Sequence, residues 1–425
     1  MKRVALPFDR GELVVELPDE AVVLRPNPTT PLADAASAVR ESLAHPLAGP
    51  PLHGRVRARQ SVAIVISDIT RPVPNETLLG PVIEELRAAG IRDEDITIVN
   101  GTGLHRPNTP AELEWMLGRE IASRFRIVQH EARRPETLAT VGSSSRGVPV
   151  ELCRAYVEAD VRIVTGFVEP HLFAGFSGGP KGVMPGVAGA QIVMSNHGAA
   201  NLSHPRARWC VTDGNPVFEE MQAVAALCPA SFLLNVTLDA QRRISGVFAG
   251  DPAPAHAAAI AAARRQYEVP IPGPFDVVVA TNMGYPADVN FYQSVKGMSV
   301  AAEAVSEGGA IVLVAGCAEG LGGPEYVDLL TRGESAASLL RDICAAGETR
   351  HDQWQVQCQA MVQTKAAVYV HSLLSRSETE AAHVAYCEDV GETLRRLAAE
   401  SRAAGRRGSI LVLPHGQLTV PVIQS

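Results

Sequence analysis

The feature that most limits how this chain can fold is a set of short, almost unbroken runs of aliphatic and β-branched residues. They are SVAIVIS from Ser61, DITIVN from Asp95, VRIVTGF from Val161, FLLNVTLD from Phe232, DVVVAT from Asp276, AIVLVAG from Ala310 and SILVLPHG from Ser409. A strand with one wet face alternates apolar and polar residues; continuous runs predict strands covered on both faces. Helical segments separate them. ETLLGPVIEELRAAG follows the first run, with Asn75 as its expected N-cap and Gly90 as its stop. After the second run and the loop GTGLHRPN, Thr109-Pro110-Ala111-Glu112 reads as a capping box with proline in the first helical position. Strand, loop and helix in repetition predict an α/β fold with parallel-type sheets and covering helices.

At 425 residues the chain exceeds one ordinary core. The stretch VPIPGPF at 269–275 reads as a linker. Residues 1–270 are therefore expected to form an N-terminal α/β domain and 275–411 a C-terminal one closing over a cleft, with the tail 412–425 returning to the first. The early segments predict strands in ELVVEL and AVVLRP and a helix over 31–44.

Composition narrows the function. A formal charge of −8 with no basic run argues against nucleic acid as a partner. No uncharged span is long enough to cross a bilayer, and the first twenty residues lack the apolar core of a signal peptide. Seven cysteines scattered singly suit a reducing cytoplasm better than a disulfide framework. A soluble cytoplasmic protein is the expectation.

In parallel sheets the loops after the strands' carboxyl ends form the binding crevice. Asp68, Arg71, His105 and His171 all occupy that address. The densest stretch is GFVEPHLFAGFSGGPKGVMPGVAGAQIVMSNH, Gly166 to His197, glycine-rich and nearly free of charge. Lys181 there is expected in a dry environment, where its amine becomes a usable nucleophile. Gly175, Ser177, Gly178 and Gly179 make a turn whose backbone N–H groups suit a phosphate. His171 and His197 flank the lysine; imidazoles at such a place bind metal or shuttle protons. Glu169 either orients one of them or caps a helix. Asp68 and Arg71 read either as a structural ion pair or as a clamp on an anion. Tyr292, Gln293 and Lys296 gather at a helix start, where anions are favoured. Trp354 reads as pocket wall or core, and His130, His204, His256, His351 and His383 as ordinary structural histidines. Three familiar templates fail: Pro180 and Gly182 flank the lysine where a Walker loop needs glycine and serine or threonine, no strand precedes GxGxxG, and there is no HExxH.

Together, DITRPVP at 68–74, GTGLHRP at 101–107, EPHLFAGFSGGPKGVMPGVAG at 169–189, Asn196-His197 and YQSVKG at 292–297 resemble the lactate racemase family, in the family's order and across both domains. The resemblance implies a cofactor of uncommon type, a nickel-pincer nucleotide made by dedicated synthesis enzymes. It implies that Lys181 is joined covalently to the cofactor and that His197 is the protein's nickel ligand. His105 and His171 match the proton-transferring pair, Arg71 and Lys296 the substrate-carboxylate cations with Gln293 and Tyr292 nearby, and Asp68 a positioning residue. The implied reaction is racemisation or C2-epimerisation of a 2-hydroxy acid through a 2-keto acid, the C2 hydrogen leaving as hydride. Pro180 departs from the basic residue common before the lysine in lactate-specific members, which opens the substrate to lactate, an aldonic acid, malate or an aryl-lactate. Two other classes stand beside this one: a hydrolase with metal held by His105, His171 and His197, and a non-catalytic carrier of the pincer nucleotide.

Overall fold

Residues 62–67 are buried at five of their six positions because hydrogen-bonded neighbours flank the strand on both sides and helices cover both faces. The computed structural model describes residues 2–424 and contains two such six-stranded sheets. In the first, the order is Ile244–Gly250, Phe232–Leu238, Val161–Phe167, Val62–Ser67, Ile96–Gly101, Arg126–Gln129. Every neighbouring pair is parallel except the edge hairpin of Phe232–Leu238 with Ile244–Gly250. The second runs Ala385–Tyr386, Ala367–His371, Val305–Val314, Phe275–Thr281, Ile410–Leu413, Val22–Val23, parallel throughout. The α/β class expected from the uninterrupted runs is therefore the observed one.

Side chains alternate between faces with the strand period of two. Ile64, Ile98, Ile163 and Leu234 point to one cluster, while Ala63, Val65, Val99, Val164 and Leu233 point to another. That second cluster continues without a break into Val278, Ala280, Ile311, Leu313 and Leu411 of the other sheet. One apolar body thus joins a face of each sheet, and the strand ends that border it converge on a common crevice.

Two placements differ from the boundaries expected above. Val22–Val23 pairs with Ile410–Leu413, and the hairpin of Lys2–Phe8 with Gly11–Leu17 packs Val4, Leu6, Val15 and Leu17 against Val277 and Val279. Residues 2–23 thus lie with the second sheet, a long-range pairing that local periodicity does not encode. Within the expected linker, Glu268–Ile271 is a strand paired in parallel with Val420–Ile423 of the tail. Prolines 270 and 421 are tolerated because this two-stranded ribbon is all edge. Locally, the helix expected over 31–44 begins at Ala35 behind the Asp34 cap, and Asn75 is the first helical residue rather than a cap. The Thr109–Glu112 capping box forms. Among the described residues no helix is long and apolar enough to cross a membrane.

Asn215 ties this scaffold to the crevice. Its Oδ1 accepts from the N–H groups of Val217 and Phe218, capping the helix Pro216–Leu227, while its Nδ2 donates to the carbonyls of Phe173 and Val211. It is fully buried. Asn215→Ala removes the cap and strands two interior carbonyls, so it should lower stability by about 2–4 kcal/mol. The urea midpoint measures this, and a loss below about 0.5 kcal/mol would contradict the role.

Candidate active site

Most chemical side chains in the crevice are delivered by the end of a strand or the start of a helix, and His197 by the C-terminal end of the helix Ala190–Asn196. Asp68 and Arg71 follow Val62–Ser67, His105 follows Ile96–Gly101, and His171 and Lys181 follow Val161–Phe167. Tyr292, Gln293 and Lys296 lie on the helix Phe291–Ala301 that follows Phe275–Thr281, and Trp354 lies on the helix Gln353–Lys365. They meet around a cavity of ≈ 160 Å³ lined by residues of both halves of the chain. A smaller cavity of ≈ 80 Å³ shares Arg71, His105 and Lys181 with it and reaches to Asp68, Ser177 and Gly178.

Two histidines present opposite polarity. His105 Nδ1–H donates to Asp68 Oδ2 at 2.8 Å, which puts the lone pair of the neutral ring on Nε2. Thr70 Oγ1 donates to the other Asp68 oxygen at 2.7 Å. Burial raises the Asp68 pKa, but the hydrogen bond and charge of His105, with Thr70 and Arg71, outweigh it and leave the carboxyl below its ordinary value. At His171 the arrangement reverses: Nδ1 accepts from the Ala174 N–H at 3.3 Å, so a neutral ring carries its proton on Nε2. Burial, and then the cations Lys181, Arg71 and Lys296, hold His171 well below the usual imidazole range.

Those three cations also crowd one another. Lys181 is pushed down to about 7 by burial and then by Arg71 and Lys296. Lys296 is pushed to about 8 by burial and then by Arg71, and its Nζ donates to Gln293 Oε1 at 2.8 Å. Glu169 stands 4.0 Å from Arg71, with its own pKa raised by burial. The Asp68–Arg71 ion pair weighed from sequence is replaced by Asp68–His105, and Glu169 faces the arginine rather than a histidine. Such a cluster is electrostatically short of an anion.

His197 is buried, its pKa pushed to about 3 by burial and then by Lys181. Its ring packs edge-on between Phe173 and Trp354, at centroid distances of 5.0 and 5.3 Å, and its Nδ1 makes no hydrogen bond among the described residues. Neutral and held by aromatic edges, it suits metal ligation. Among the described residues no three His, Cys, Asp or Glu side chains gather closely enough to hold an ion. The three-histidine site of a metal hydrolase is therefore not formed, and a metal on His197 needs its other donors from a bound organic group. Trp354 Nε1–H donates to the Tyr292 hydroxyl, which in turn donates to Asp352 Oδ1 at 3.0 Å, so Tyr292 is braced as a wall.

Gly175 and Gly179 line neither cavity. Both have left-handed backbone, and a Cβ at Gly175 would lie 2.2 Å from the Val211 carbonyl oxygen, one at Gly179 2.2 Å from His256 Nδ1. They serve close packing of the turn rather than approach to a ligand. The Ser177 hydroxyl donates to the Phe167 carbonyl at 2.9 Å and accepts the Glu169 N–H. Sequence reasoning missed Thr70, Thr102, Asp352 and Gln355 on the wall and set His351 aside, though it lines the cavity beside Trp354. The cluster HDQW was the available signal.

Residues 8–210 match the family pattern described as the lactate racemase N-terminal domain, and residues 272–422 the lactate racemase C-terminal domain. The chain belongs to the lactate racemase family. It is 32% identical over 368 residues to the lactate racemase of Thermoanaerobacterium thermosaccharolyticum, covering 85% of this chain and 86% of that protein. It is 30% identical over 423 residues to that of Lactiplantibacillus plantarum, covering 98% and 99%. The lactate racemase apoprotein structure from T. thermosaccharolyticum superposes with a TM-score of 0.92 at 29% identity over the full length of both chains. A Thermotoga maritima structure with a TM-score of 0.68, at 18% identity over 94% of this chain and all of that one, shares the fold. This family member is accordingly an isomerase of the racemase type.

The crowded lysine makes a direct prediction. With a pKa near 7, Lys181 is largely the free amine above that pH and protonated below it. Acylation of the apoprotein by an amine-selective reagent, mapped by peptide mass, should rise at Lys181 through a midpoint near pH 7. Ordinary lysines respond about three units higher. A midpoint above pH ~9.5 would contradict the burial described here.

Proposed function

We propose that the protein interconverts the two configurations at C2 of a 2-hydroxy acid, working with a nickel-pincer nucleotide joined to Lys181. The observation that carries this reading is the union in one cavity of three mutually repelling basic groups, one of them the nucleophilic amine of Lys181, and two histidines of opposite polarity. When bound, the cofactor supplies a reversible hydride acceptor, which a C2–H bond beside a carboxylate requires because that hydrogen is not acidic enough for simple deprotonation.

The chain's own residues do the rest. Arg71 and Lys296 suit the substrate carboxylate, and holding it fixed lets the rest of the molecule pivot between hydride departure and return. Arg71 provides a planar fork; Lys296, steadied by Gln293, a point charge. His105, its tautomer set by Asp68, turns a lone pair to the substrate hydroxyl and takes its proton. His171 donates its Nε2–H as a hydrogen bond to that oxygen between hydride departure and return, and the proton held by His105 goes back to the oxygen when the hydride returns, so the proton is conserved in either direction. Phe173, Leu172 and Trp354 exclude water, which strengthens every electrostatic contact inside. His197 would hold the nickel. Lactate, an aldonic acid, malate and an aryl-lactate remain the substrate candidates, and the cofactor's synthesis enzymes are the implied partners.

Intact-mass and nickel analysis of protein co-produced with those enzymes, followed by a panel of optically pure 2-hydroxy acids, tests the reading. Loaded wild type should carry one adduct and scramble at least one acid. Lys181→Ala should carry no adduct, and His197→Ala should lose nickel. His105→Ala and His171→Ala should load normally and lose roughly 100-fold or more of interconversion. Full racemisation by protein lacking any adduct would overturn the proposal.

A further inference from the structure

We propose that Asn235 and His256 are positioning residues for Lys181, fixing the turn that presents its amine. The proposal rests on the reading of Lys181 as the cofactor-bearing residue. It concerns two side chains outside the reaction cavity, one of which the sequence alone marks as an ordinary structural histidine.

The turn Gly178–Gly182 has open space on two sides. Lys181 and Gly182 face the cavities already described. Gly179, Pro180 and Val183 form part of the wall of a separate cavity of ≈ 530 Å³, bounded on its far side by the helices Pro216–Leu227 and Pro252–Tyr267. The turn's glycines press against Val168, Val164, Asn235 and His256, so the packing there is confined to a few side chains between the two cavities. Downstream the chain regains the core through Met184 and Val187. Upstream its location depends on directed hydrogen bonds.

Two of these come from deep, otherwise costly polar side chains. Asn235, on the strand Phe232–Leu238, accepts the Gly179 N–H at 2.8 Å and donates from Nδ2 to the Leu234 carbonyl at 3.1 Å. It is fully buried. His256, on the helix Pro252–Tyr267, donates Nε2–H to the Ser177 carbonyl at 3.0 Å. A carbonyl only accepts, so this bond fixes the tautomer. Burial holds the imidazole pKa down at about 4, so the ring stays neutral at working pH. Its flank lies against Gly179, where a Cβ would meet the ring. Strand and helix thus grip the turn from two elements, at the Gly179 N–H and the Ser177 carbonyl, one and three residues before Pro180. Burying an amide and an imidazole is unfavourable unless they are bonded, and here both are bonded to this one turn.

The test uses the apoprotein first and cofactor loading second. His256→Ala and Asn235→Ala loosen the turn, so the midpoint for Lys181 acylation should move up from about 7 by at least ~1 pH unit. Loading during co-production should fall at least ~10-fold. His256→Gln keeps an N–H for the Ser177 carbonyl and should stay within ~3-fold of wild type, whereas His256→Phe fills the space without a donor and should behave like the alanine variant. Should the alanine variants fail to fold, the glutamine and phenylalanine pair decides. In the wild type, imidazole NMR should show a single Nε2–H tautomer that does not titrate above pH ~5. Folded variants with the wild-type acylation profile and loading overturn the positioning role. Shifted acylation with no adduct on any protein, wild type included, overturns the attachment reading and leaves the positioning role standing.

Discussion

Repulsion among like charges in a dry cleft governs this molecule. Arg71, Lys181 and Lys296 are brought together from two sheets, and each depresses the proton affinity of a neighbour. Nothing in the core gains from that arrangement. It is sustained by the apolar body that joins the sheets, and it leaves the crevice prepared for negative charge. Burial, and after it the same field, keeps His171 and His197 neutral. Binding an anion relieves strain already present, which is how folding energy becomes affinity.

The second organising fact is how tautomers are chosen. At His105 a carboxylate claims the Nδ1 proton, and at His171 a backbone N–H claims the Nδ1 lone pair. In their neutral forms the two rings therefore offer the crevice complementary faces. Asp68, Ala174 and the capped helix behind Phe173 are as much part of the chemistry as the imidazoles themselves.

Much of this was legible in the sequence because the topology assigns an address. Asp68, Arg71, His105, His171 and Lys181 all follow runs that could only be doubly covered parallel strands, and such strands deliver their loops to one edge. Lys296 and Gln293 were legible as a helix start. His351 and Asp352 were not, since their loop precedes a helix instead of following a strand. Gly175 and Gly179 were legible as glycines but not in their purpose; only Val211 and His256, distant in the chain, show that they accommodate protein rather than ligand. The membership of residues 2–23 was hidden for the same reason. A two-residue pairing with Ile410–Leu413 has no local signature.

That last pairing, taken with the tail, bears on how the halves move. The polypeptide passes from one sheet to the other after Val23 and again after Ile271, and beyond Leu413 it comes back to lie alongside Glu268–Ile271. A molecule laced this way cannot come apart like beads on a thread. The crossings tether the two sheets, so any motion of one against the other is a tilt of tethered plates rather than a separation.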